Sequence, residues 1–344
     1  MAILKKLYIL VFPLILTSCY EDFNPKIDTD PVLCLNSLIT AGNPIEVRVS
    51  HTWLYTDDNG RNDHSVSDAR IDIFANGELV EADYIPQEGD RIRIHASSLK
   101  YGEAEAEVTV PVATRVSDTD FTVKIDDIWM LWTEGWGLNA KIEFGIRMLM
   151  DLADNGDTDD FHRLTYQTFS GDVIMTDGYD SDTSRQNYGR TTYSSNLSEG
   201  QFEALDPVFY EFTDPFEDVM YGSYYTMFFS DRLFNGTAKT LTFGFSPCFF
   251  TLSGWKGDPE ALECGWDIKL YTISESYYNW LAYSDRSSGI IFGDFEDFGM
   301  ADPIWGYSNV STGAGVVAAQ SSVDVRVDLK NVLKKILEEE NTDS

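Results

Sequence analysis

Positive charge is scarce in this chain. Its 25 Lys and Arg stand against 57 Asp and Glu, giving a formal net charge of −32. A surface of that sign repels polyanions, which argues against nucleic-acid binding and against adhesion of the folded part to anionic lipid. Histidine is rare as well, and His51, His64, His95 and His162 show no His-Glu-x-x-His spacing, so no zinc-peptidase helix is signalled. Neither a Gly-x-Ser-x-Gly elbow nor a Walker loop is present. Gly313-Ala314-Gly315 is an isolated Gly-x-Gly without a strand-to-helix context and reads as a turn. Among so many carboxylates no pair stands out as a glycosidase acid and nucleophile. These gaps point away from an enzyme. The conspicuous apolar run, Leu7 to Leu16, is too short for a permanent span, which needs about 20 residues.

That run follows Lys5 and Lys6 and contains no acid, the pattern of a signal peptide over residues 1–18. Leu16-Thr17-Ser18-Cys19 is lipobox-like, with small residues before a cysteine whose thiol can carry a diacylglycerol. Each buried acyl methylene contributes about 0.8 kcal/mol, so two or three chains on Cys19 would anchor the protein stably. Glu21 and Asp22, just beyond it, have the character of a surface-export signal. Residues 19–31, with Pro25, Pro31 and acidic side chains, read as a tether. Loss of residues 1–18 removes two lysines and no acid, taking the formal charge from −32 to −34.

The remaining cysteines are Cys34, Cys248 and Cys264. Cys248 and Cys264 flank the turn-rich Ser253-Gly254-Trp255-Lys256-Gly257-Asp258 stretch, so a disulfide between them and a pair of buried thiols are both open readings.

Short alternating runs predict strands at 32–39, 45–50, 69–74, 91–96 and 104–110, with Asn76-Gly77 marking a hairpin. This reads as an N-terminal immunoglobulin-like or transthyretin-like β-sandwich over 32–113. A larger β-rich domain over 118–340 is predicted next, with strands at 121–128, 139–150, 161–169, 224–230, 239–245 and 266–273. The fold class is therefore mainly β. Residues 171–222 form a long polar, tyrosine-bearing excursion. Two short helices complete the reading, one capped by Ser274 and one at the end, where Leu329, Val332, Leu333, Ile336 and Leu337 make a stripe.

Three features invite ligand readings. Trp129, Trp132 and Trp136 crowd one segment beside two glycines, a set suited to core packing or to a platform for sugar rings or peptide side chains. Asp154, Asp157 and Asp159 sit in an acidic loop that could hold calcium weakly. The EF-hand pattern fails there, because Ala153 and His162 fall where carboxylates are required. A solvated turn is the competing reading, as it is for Asp57 to Asp63.

Several pieces together resemble the domain of unknown function 4249 family of Bacteroidota outer-membrane lipoproteins. They are Pro31-Val32-Leu33 with the Asn36 to Thr40 strand, Asp68 to Ile71 ending at Asn76-Gly77, Ser230-Asp231-Arg232-Leu233-Phe234-Asn235-Gly236, the Ser274 to Trp280 helix, and Pro303 to Val310. The resemblance covers essentially the mature chain. Ser311 to Val316 keeps the glycines usual after the Ser-Asn-Val piece but lacks the following aromatic. The resemblance implies surface lipoproteins often encoded beside TonB-dependent receptors, with no catalytic residues to carry over. The expectation is a lipid-anchored protein of the outer membrane, facing the exterior, accessory to a TonB-dependent barrel through ligand binding or receptor assembly. A stand-alone adhesin or glycan-binding surface protein is the alternative, and a hydrolase the third.

Overall fold

The computed structural model describes residues 30–53, 63–81, 83–114, 123–134, 139–153, 156, 158–170, 172–175, 191–198, 201–212, 225–253, 264–288 and 306–331. The architecture is mainly β. Alternation of apolar and polar residues, which places one side chain in two on a buried face, accounts for most strands.

The first six are β1 (Leu33–Thr40), β2 (Arg48–His51), β3 (Arg70–Ala75), β4 (Glu78–Val80), β5 (Arg91–Ser98) and β6 (Gly102–Thr109). The β3–β4 hairpin closes at Asn76-Gly77, both residues taking positive φ, +54° and +89°, as a two-residue primed turn requires. Next come β7 (Val123–Glu134), β8 (Asn139–Leu152), β9 (Phe161–Ser170), β10 (Asp172–Met175), β11 (Thr191–Ser198), β12 (Phe202–Ala204) and β13 (Phe228–Ser230). The last are β14 (Lys239–Ser253), β15 (Cys264–Ile273), helix α1 (Glu275–Ser288) and β16 (Val317–Asp328). Ser274 Oγ accepts the Tyr277 N–H at 3.3 Å, the expected cap of α1. Of the terminal stripe, Leu329 is fully buried and helix begins at Lys330; residues 332–344 lie outside the described set.

Three sheets result among the described residues. A six-stranded sheet runs β13-β9-β15-β16-β1-β2, a second runs β10-β11-β14-β8-β7 with β12 also on β14, and a four-stranded sheet runs β4-β3-β5-β6. The two-domain boundary expected between 113 and 118 does not divide them. β1 lies parallel to β16, in register from Ser37 with Val317 to Thr40 with Gln320, so the first described strand is built into the sheet of the last. Residues from Val32 onward form one compact unit.

β16 also joins two cores. Val317 and Ala319 complete a cluster with Leu33, Leu35, Ile92, Ile94 and Val108, while Val327 joins Phe144, Phe245, Trp266 and Ile268 in a larger one. Gly313 and Gly315 serve this junction. A Cβ on them would lie 2.4 Å from the Leu33 carbonyl oxygen and 2.2 Å from that of Leu35, so only glycine lets residues 313–315 run against β1. Leu35 N–H donates to Ala314 O at 2.8 Å and Ala314 N–H to Leu33 O at 2.9 Å. The glycine pair is thus a place of close backbone approach. Asn309 fixes the entry to β16, its Nδ2 donating to Val317 O at 2.7 Å and its Oδ1 accepting from Val317 N–H at 2.9 Å.

His162 on β9 points into the larger core beside Phe229 and is fully buried. Burial lowers its pKa from 6.5 to about 4. The folded state therefore holds this imidazole neutral while the unfolded chain protonates it below pH 6.5. Its contribution is fully present above pH 6.5 and is lost as pH falls through 4. The corresponding free energy is about 3 kcal/mol. Urea titrations should show His162→Phe with a flatter loss of stability between pH 7 and pH 4 than the parent chain; an unchanged pH slope would contradict this assignment.

Candidate functional site

Among the described residues, one concave surface lies on the outward side of the six-stranded sheet. Trp266, Ile268 and Leu270 of β15 face the core, so Asp267, Lys269 and Tyr271 face outward. Register aligns them in rows with their neighbours. Gln167 and Arg326 flank Asp267, Thr165 and Asp324 flank Lys269, and Arg163 and Ser322 flank Tyr271. The resulting open basin has a volume of about 570 Å³.

Its charges are matched in place. Arg326 donates from Nε to Asp267 Oδ1 at 2.8 Å and from Nη2 to Oδ2 at 3.0 Å, and its guanidinium covers the Phe169 ring at 4.1 Å. The hydrogen bond from Arg326 holds the Asp267 carboxyl below the usual carboxylate range. Lys269 Nζ stands 3.7 Å from Asp324 Oδ2. At the helix end, Arg163 Nη1 donates to the Tyr277 hydroxyl at 2.9 Å, tying β9 to α1. Such a floor offers fixed donors and acceptors beside aromatic edges, suited to hydrogen-bonding recognition.

The tryptophan segment falls elsewhere, on β7. Trp129 lies flat across Gly145 of β8, its register partner, so closely that a Cβ there would come within 2.2 Å of the indole. The ring is partly exposed, beside Met130 and Leu131, and does not belong to either large core. This leaves Trp129 as an aromatic surface on the sheet's outer face. Trp132 is in β7 but its side chain lies outside the described set, as does all of Trp136. Gly145→Val is expected to lift the indole, costing about 1–3 kcal/mol and moving tryptophan emission to the red. Unchanged emission and stability would show that the ring is not seated there.

The acidic loop is a docked turn where it is described. Asp154 and Asp157 lie outside the described residues, and Asp159 Oδ1 accepts from Asn235 Nδ2 at 3.3 Å. Asp160 N–H donates to the buried Asp231 Oδ2 at 3.0 Å, and Asp231 N–H returns a bond to Asp160 O at 3.0 Å. A Cβ on Gly156 would meet the Gly236 backbone at 2.7 Å. The Ser230 to Gly236 motif therefore clamps this loop to the body, which explains its Asp, Asn and Gly in physical terms. Among the described residues no cluster of three His, Cys, Asp or Glu is placed to hold a metal. Of residues 57–63 only Asp63 is described, and its Oδ1 accepts the Ser65 N–H at 2.9 Å in a local turn.

Cys248 and Cys264 are not bridged. Both are buried thiols, as is the half-buried Cys34 a thiol. Cys248 Sγ donates to Phe245 O at 3.4 Å within the bulge of β14, and Cys264 opens β15 in the other sheet, its thiol pushed up to about 12 by burial. This is the second of the two readings the sequence left open, with the thiols on strands of different sheets. The tyrosines around the polar excursion split in the same manner. Tyr210 and Tyr225 pack against the larger core, Tyr210 donating to Ala204 O at 2.7 Å, while Tyr188, Tyr221 and Tyr224 lie outside the described residues and the side chain of Tyr193 is not described.

The basin escaped sequence reasoning because β16 was not recognised as a strand. Its signal was present in Val323, Val325 and Val327 alternating with Asp324, Arg326 and Asp328.

Comparison with known proteins returns one family model, described as domain of unknown function (DUF4249), matching residues 20–326. No curated protein matches, and no solved structure matches.

Proposed function

The chain belongs to the DUF4249 family, and on that premise we propose that it is a lipid-anchored outer-membrane protein, exposed to the exterior, that serves a TonB-dependent transporter as an accessory. The observation that carries this reading is Leu16-Thr17-Ser18-Cys19 followed at once by Glu21 and Asp22. Such an anchor keeps a strand-built body at the membrane surface, where the basin over Asp267, Lys269 and Arg326 is available to a ligand or to the barrel's outer loops.

Crosslinked affinity purification from detergent-solubilised outer membrane tests it, with Cys19→Ala as the control. Stoichiometric recovery of a barrel with the parent chain, lost with Cys19→Ala, is the expected result. Recovery of lipid and background alone would remove the transporter partnership.

A second reading is a stand-alone glycan-binding surface protein, and the indole of Trp129 laid open on Gly145 favours it. Retention on a polysaccharide affinity gel that is abolished by Trp129→Ala, in cells without the barrel partner, would select this reading over the first.

A further inference from the structure

Two of the four histidines meet on the N-terminal part of the six-stranded sheet. Ser50 and Ser65 form an antiparallel bridge, which sets His51 directly opposite His64. His51 N–H donates to His64 O at 3.1 Å, and Val66 N–H to Val49 O at 3.0 Å. Directly opposed residues of an antiparallel pair share a face, with Cβ atoms about 5 Å apart, and their side chains can reach one ligand.

The rings carry this further. Their centroids are 5.0 Å apart at an interplanar angle of 89°. Two imidazoles bound to one tetrahedral ion, with metal–nitrogen distances of about 2.0–2.1 Å, have centroids about 5 Å apart. His51 Nδ1 lies 2.9 Å from Thr52 O. A carbonyl only accepts, so Nδ1 carries the proton and Nε2 keeps its lone pair in the neutral ring. A backbone carbonyl on one ring nitrogen and a metal on the other is the usual arrangement of a ligating histidine.

Neighbouring rings hold the pair in place. Trp53 stacks on His64 at 3.9 Å and 4°, and Tyr101 stacks on His51 at 4.5 Å and 11°. Asp63 adjoins His64 and supplies negative charge, against Lys100 Nζ lying 4.7 Å over Tyr101. The net charge of −32 raises the local concentration of any cation.

We propose that His51 and His64 form a two-histidine site for a divalent transition metal of the zinc and copper class. Imidazole nitrogen selects these ions over calcium and magnesium, which take oxygen. The site is independent of the anchor and of any barrel partner.

The test uses the untagged full chain in detergent, freed of metal by chelator, titrated calorimetrically with zinc chloride at pH 7.5. One equivalent is expected to bind in the micromolar range. His51→Gln and His64→Gln should each weaken binding at least tenfold, while His95→Gln, on β5, changes it less than twofold. Circular dichroism of each variant reports folding. Should either variant misfold, the parent chain still decides, because ligation by imidazole requires binding to collapse between pH 7.5 and pH 5. A hundredfold excess of calcium is expected to leave zinc binding intact. Absence of a zinc equivalent, wild-type affinity in both folded histidine variants, binding that persists at pH 5, or displacement by calcium would each overturn the proposal.

Discussion

Residues 32–113, expressed alone, are expected to stay unfolded, with a far-ultraviolet circular dichroism spectrum lacking the β signature of the full chain. The sequence reads as an autonomous sandwich, yet its core is finished by residues more than 200 positions away. Val317 and Ala319, both fully buried, close the cluster formed by Leu33, Leu35, Ile39, Ile92 and Val108. Removing them uncovers that core, and removing β16 leaves β1 without the parallel partner that takes up Ser37 to Thr40. The lost bonds to Ala314 and Val316 add unsatisfied backbone groups along β1. A small domain has only about 5–15 kcal/mol of net stability to lose. A fragment that melts cooperatively on heating would contradict this account of β16.

Trp266→Ala is expected to lower the unfolding free energy by about 3–5 kcal/mol. This is the largest fully buried side chain among the described residues, stacked on Phe245 with centroids 5.0 Å apart and planes within 7°. It joins β15 of one sheet to β14 of another, so its removal opens a cavity between layers that cannot collapse without moving both. Its Nε1–H is buried and makes no hydrogen bond. Trp266→Phe therefore keeps the stacked ring and removes an unsatisfied donor, and should cost under about 1.5 kcal/mol. Urea midpoints of the two variants measure the difference; equal losses would show that ring stacking is not what this residue contributes.

The local structure was readable where alternation was clean. The strands at 69–74, 91–96, 139–150 and 266–273 appear within a few residues of their expected bounds, as does the hairpin at Asn76-Gly77 and the helix capped by Ser274. Long-range pairing was not readable, because alternation tells which side chains share a face and says nothing of which strand lies alongside. Gly313 and Gly315 illustrate the limit. The sequence reads them as a turn, and their close approach to the backbone of Leu33 and Leu35 could only come from the fold. The basin was hidden for the same reason, since Asp267 and Arg326 are 59 positions apart and meet only through the β15–β16 register. For Cys248 and Cys264 the sequence left a bridge and a pair of buried thiols both open, and the structure has the two thiols.

The proposed function rests on lipid at Cys19 holding this body at a membrane. Mass spectrometry of the N-terminal peptide from protein purified out of its native membrane tests that most directly. The expected peptide begins at Cys19 and carries the mass of a thioether-linked diacylglycerol, with or without an amide-linked acyl chain. A peptide that retains residues 1–18, or one that begins near Cys19 with an unmodified thiol, would contradict it.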